Sequence, residues 1–108
     1  MITEDFPIAQ QLFSVINDGI LDEYDAFTYT CLTGEGYIET QLTTCLGGVQ
    51  NAQARHEISY SALTGLISQL QANAQKRDEG WCSFVMSYRH GEKVSLTFGN
   101  EKPAWDTR

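Results

Sequence analysis

The first half of this sequence has no lysine or arginine. Residues 1–54 carry eight acids (Glu4, Asp5, Asp18, Asp22, Glu23, Asp25, Glu35 and Glu39), the first base is Arg55, and the rest of the chain sets all seven bases against six acids. A net charge of −7 over 108 residues argues against nucleic acid and anionic membrane as partners, since both are polyanions that repel such a chain. Long apolar runs are also missing, none approaching the roughly 20 residues a membrane-crossing helix needs. The opening Met1-Ile2-Thr3-Glu4-Asp5 is acidic rather than signal-like. Together these absences set the expectation of a cytoplasmic protein with no membrane partner.

Residues that carry chemistry are few and scattered. Three cysteines (Cys31, Cys45, Cys82) form no CxxC and lie in apolar or β-branched stretches, so they are expected to be small buried hydrophobes without a disulfide. His56 sits in a polar connector and His90 in an expected turn, and no local motif joins either to a cysteine. The Cys31/Cys45 and His56/Cys82 spacings match no zinc pattern. Gly34-Glu35-Gly36 and Gly47-Gly48-Val49 lack both GxGxxG spacing and a following Lys-Ser/Thr, which removes phosphate cradling. Adjacent Asp22 and Glu23 are weak support for acid–base catalysis. No catalytic residue, metal or cofactor is expected, and an enzyme is the minority reading.

What the sequence does have is clear periodicity. Ile8, Leu12, Val15 and Ile16 recur at helical steps between Pro7, which suits a first turn, and Asn17-Asp18-Gly19, which suits an end. Residues 26–33 alternate, with Phe27, Tyr29 and Cys31 against Thr28 and Thr30; residues 37–45 are β-branched and aromatic, and Gly34-Glu35-Gly36 joins the two as a hairpin. Residues 49–57 have no period and read as either a loop or a short edge strand. Ser59 or Ser61 caps a second helix with Leu63, Leu66, Ile67, Leu70 and Ala74 on one stripe, Lys76-Arg77 in its last turn and Gly80 as its stop. Cys82, Phe84, Met86 and Tyr88 alternate in one strand, Val94, Leu96 and Phe98 in the next, with His90-Gly91-Glu92 between.

The expected fold is therefore α+β: a two-layer sandwich in the order α-β-β-(β)-α-β-β, two helices on one face of a four- or five-stranded antiparallel sheet. Residues 1–101 are expected to form a single domain and 102–108 a loose tail. The other sheet face is expected to carry Thr28, Thr30, Thr40, Ser83, Ser87, Ser95 and Thr97 or their alternates.

Trp81 opening a strand after the second helix, then Ser83-Phe84-Val85-Met86-Ser87, a turn with Gly91, and Val94-Ser95-Leu96-Thr97-Phe98 resemble the YezG-like antitoxin family. The likeness covers about the last third of the chain; the front matches in element order and acidity. The connector after Gly48 is shorter than that family's, and the 102–108 tail departs from it. The resemblance implies a small immunity protein whose partner is a secreted or contact-delivered toxin, often a nuclease.

Charge supplies an independent physical argument toward the same partner. A nuclease cleft must attract a polyanion, so it is basic, and its field steers an acidic inhibitor. The candidate partner-binding residues are Asp18, Asp22, Glu23, Asp25, Glu35 and Glu39, with Tyr24 and Tyr37 as amphipathic anchors; Tyr29 is a third aromatic candidate, and a tyrosine at an inward strand position fits the core equally well. Reversing Asp22, Glu23 and Asp25 to lysine is expected to slow binding and leave stability nearly unchanged. The alternative readings are a type III-like secretion chaperone binding an effector, opposed by Gly99, Asn100 and Pro103 where its final helix should lie, and a small enzyme or ligand-binding domain. The toxin's reaction, the surface that binds it, and the choice between monomer and homodimer stay open.

Overall fold

A computed structural model of the chain describes residues 5–34 and 37–99, the Tyr37 side chain excepted. The elements run α1 (Phe6–Gly19), β1 (Ala26–Gly34), β2 (Tyr37–Leu46), β3 (Val49–Asn51), α2 (Tyr60–Lys76), β4 (Ser83–Arg89) and β5 (Ser95–Gly99), an α+β fold in the expected order. They group into two compact units: a helical unit of residues up to Asp22 with Arg55–Gly80, and a sheet unit of Glu23–Ala54 with residues from Trp81 onward.

In the helical unit, Pro7 occupies the first turn of α1, where its missing N–H costs no helix bond, and Leu12 and Ile16 are fully buried. The stripe of α2 is buried at all of its positions: Leu63, Leu66, Ile67, Leu70 and Ala74. Its cap is Ser59, whose hydroxyl oxygen accepts the Ala62 N–H at 3.3 Å. The helix stops differently from the expectation at Gly80. Asp78 takes the left-handed conformation (φ 58°), the Glu79 N–H returns to the Ala74 carbonyl at 2.8 Å, and the Asp78 N–H to that of Gln75 at 3.2 Å. This is a Schellman closure with aspartate in the position usually held by glycine.

The sheet unit has strand order β3-β2-β1-β4-β5, antiparallel throughout. The undecided stretch after Gly48 thus contains a short edge strand followed by a loop. Gly47 and Gly48 both have positive φ (58° and 82°), as a two-residue type I′ connection requires. One sheet face buries Phe27, Tyr29, Cys31, Leu42, Phe84 and Met86. Trp81, Phe84 and Phe98 contact one another with ring centroids 5.0–6.2 Å apart, and Tyr29 stacks on Phe84 at 6.5 Å.

The other face carries cross-strand rows such as Thr43, Thr28, Ser87 and Ser95. Two expectations are corrected here. Thr40 stands opposite Cys31, so it belongs to the face of Tyr29 and Phe84; Lys93 and Val94 lie in the loop between β4 and β5. Alternation also breaks at Leu32, which is only 1% exposed although it neighbours Ser83 and Glu39 on the hydroxyl-bearing face. The expected tail at 102–108 and the Glu35-Gly36 part of the first turn lie outside the described residues.

Candidate protein-binding site

The end of α1 is built by a glycine that leaves room for another chain segment. A Cβ on Gly19 would lie 2.7 Å from Ile58 Cγ1 and 2.8 Å from its Cα, so only glycine lets residues 55–58 run this close. There the Glu57 N–H donates to the Gly19 carbonyl at 2.6 Å, the Leu21 N–H to that of Arg55 at 2.9 Å, and Ile20 and His56 form an isolated antiparallel bridge. Asp22 fastens this clasp: its carboxylate accepts the Arg55 backbone N–H at 3.0 Å and the Arg55 Nε–H at 2.8 Å. Those two bonds, the backbone one foremost, hold the Asp22 carboxyl below its ordinary range.

A second carboxylate is also taken up within the fold. Asp5, only 2% exposed, accepts from Asn73 Nδ2 at 3.1 Å and from Arg77 Nη2 at 3.0 Å, while Arg77 Nε donates to Glu79 at 2.7 Å. The start of α1 is thereby tied to the end of α2.

Asp18 is different. It is exposed in the last turn of α1, which contains no base. The exposed Glu57 is bonded through its backbone to the adjacent Gly19, and Leu21 is 52% exposed, so this end of the helical unit presents carboxylates beside an apolar side chain. Glu57 and Leu21 were not among the sequence candidates, because the strand-like contact that brings residue 57 to residue 19 has no local signature.

The candidates in the sheet unit divide further. Tyr24 packs its half-buried ring on Phe27 and on His90, with centroids 5.7 and 4.6 Å away. Asp25 Oδ2 accepts the Gly47 N–H at 2.7 Å, and the Asp25 backbone donates to the Cys45 carbonyl at 2.7 Å and accepts the His90 N–H at 2.9 Å. These two residues fasten the β2–β3 turn and the start of the β4–β5 loop. Tyr29 is core, at 3% exposure. Glu23 is exposed, Glu39 half-buried, and Glu35 and the Tyr37 side chain lie outside the described residues. The triple reversal of Asp22, Glu23 and Asp25 is therefore not a pure surface change, since two of its three carboxylates hold backbone N–H groups.

In the sheet unit a cavity of about 310 Å³ is lined by Thr28, Ser87, Arg89, Glu92, Lys93 and Ser95, with Arg89 Nε 3.5 Å from the Glu92 carboxylate. The groove between α1 and α2, about 630 Å³, is lined by residues such as Gln10, Ser14, Ser61, Gly65 and Gln69 and contains no titratable group. Cys31 is fully buried, and desolvation pushes its thiol up to about 12, the opposite of what a nucleophile needs. Cys45 and Cys82 are half-buried thiols. Among the described residues no cluster of three or more His, Cys, Asp or Glu is placed to hold a metal, and no helix is long and apolar enough to cross a membrane.

Comparison of the sequence with protein-family models and with curated proteins finds no match.

Proposed function

We propose that the chain is an immunity protein that binds a basic protein toxin, a nuclease domain by preference, and blocks it without catalysis of its own. The observation that carries this reading is Asp18. Its carboxylate sits at the negative end of the α1 dipole in a last turn that holds no base of its own, a placement that opposes folding by about 0.3–1 kcal/mol. A cationic partner would offset that cost on binding, and the exposed Glu57 and Leu21 beside it add charge and apolar area to the same contact. Asp5 and Asp22, already joined to arginines, contribute little to such a field.

The test is co-expression with the product of the adjacent reading frame. A folded basic toxin domain should co-purify in a stoichiometric complex and lose its activity there. Recovery of an unfolded stretch of a large effector would replace this reading with the chaperone one, and turnover of a small molecule by the chain alone would replace it with the enzymatic one.

A further inference from the structure

The described part of the sheet unit contains one arginine and one lysine, Arg89 and Lys93, and both line the same cavity of about 310 Å³. Arg89 ends β4, and Lys93 follows a sharp turn in which Gly91 has positive φ (86°) and the Glu92 N–H returns to the Arg89 carbonyl at 2.9 Å. The turn brings a strand end and a loop to one place.

The floor of the cavity is the hydroxyl-bearing face of the sheet. Thr28 on β1, Ser87 on β4 and Ser95 on β5 are direct cross-strand partners, so their side chains form one row across three adjoining strands. Arg89 lies two residues beyond Ser87 and therefore stands on the same face. None of the three hydroxyls has a hydrogen-bond partner among the described residues. Arg89 meets the exposed Glu92 carboxylate at 3.5 Å, well beyond the roughly 2.7–2.9 Å of a strong charge-assisted bond, so its fork is open to a better acceptor.

These groups decide what fits. Two cations against one carboxylate make the lining positive within a chain of net charge −7, so a cation is disfavoured there. An apolar ligand would strip water from three hydroxyls and return nothing. A carboxylate has two oxygens, which the Arg89 fork alone would occupy, whereas a phosphate has enough acceptors to engage Arg89, Lys93 and a hydroxyl together. A small anion is also screened from acids more than about 8 Å away at physiological salt, as a long polyanion is not. We propose that this cavity binds a small phosphorylated molecule, its phosphate held by Arg89 and Lys93 and its remaining polar part by the row of Thr28, Ser87 and Ser95. Glu92 competes with that phosphate for Arg89. The proposal is independent of the toxin reading.

Titration of the full chain with inorganic phosphate, glycerol 3-phosphate and glycerol, followed by amide chemical shifts at constant ionic strength, tests it. Saturable shifts are expected at residues 28, 87, 89–93 and 95, with glycerol 3-phosphate binding more tightly than phosphate and glycerol alone not binding. Arg89→Gln and Lys93→Gln should each weaken glycerol 3-phosphate about tenfold or more, and Glu92→Gln should tighten it about threefold. Lys76→Gln, an exposed change in α2, should alter nothing. If Arg89→Gln fails to fold, the loop variants of Lys93 and Glu92 decide. No saturable shift up to about ten millimolar, an equal loss with Lys76→Gln, or weaker binding by Glu92→Gln overturns the proposal. Equal affinity for phosphate and glycerol 3-phosphate overturns it in favour of a site for free phosphate.

Discussion

The helical unit and the sheet unit use their acids in different ways. In the helical unit, carboxylates meet arginines: Asp5 joins Arg77 across 72 residues of sequence, and Asp22 joins Arg55 across 33. In the sheet unit Asp25 accepts a backbone N–H from a turn, Glu92 meets Arg89 only at an exposed 3.5 Å, and much of the packing comes from the rings of Tyr29, Trp81, Phe84 and Phe98. Carboxylates that look equivalent along the sequence thus separate into arginine-paired groups, turn fasteners and exposed groups. Only the last class is available to a partner without disturbing the fold.

The largest expected effect contrasts the two apolar centres. Phe84→Ala, fully buried among rings, should cost about 3–5 kcal/mol, and Leu70→Ala on the α2 stripe about 2–5 kcal/mol, read from urea melts. If Phe84→Ala melts with the wild type, the aromatic cluster is not what holds the sheet unit. Next comes the buried pair. Asp5→Ala should cost about 1.5–3 kcal/mol, because it leaves Asn73 and Arg77 without the acceptor they share. In a double-mutant cycle, Arg77→Ala should add less to that variant than to the wild type.

The pH dependence sharpens the comparison. Asp22 has a folded-state pKa below its unfolded value of 3.8, so its contribution is complete above the ordinary carboxylate range and is lost as pH falls through the lowered value. A carboxyl chemical-shift titration should place Asp22 below the ordinary aspartate range, and Arg55→Ala, which keeps the backbone N–H, should return it part of the way. The smallest effect has the opposite sign. Asp18→Asn should stabilise the protein by about 0.3–1 kcal/mol by removing an anion from the negative end of α1, which a thermal melt resolves. A destabilised variant would mean that Asp18 serves the fold.

What the sequence made legible follows from how local each signal is. The α2 stripe, the Ser59 cap, one of the two serines offered, and the strand pairing of the two hairpins come from period and turn chemistry within a few residues, while the loop of the second hairpin runs on through Lys93 and Val94. β3 has three residues, too few for alternation to show, and its length is set by the Asn51 turn. The stop of α2 was misplaced because Asp78 adopts a conformation for which Gly80 is the more usual residue. The site was harder still. Whether Asp22, Asp25 and Tyr24 are free depends on Arg55, Gly47 and His90, partners 22 to 66 positions away that no spacing rule connects to them.

The central claim is that exposed acids, and not the paired ones, meet a basic toxin. The direct measurement is the association rate with the co-purified toxin domain against ionic strength, for wild type and for the Asp18→Asn, Glu57→Gln double variant. The account expects the wild-type rate to fall steeply with salt, and the double variant to bind more slowly at low salt with a shallower slope while melting no lower than wild type. A double variant with the wild-type rate and the wild-type salt slope would contradict it.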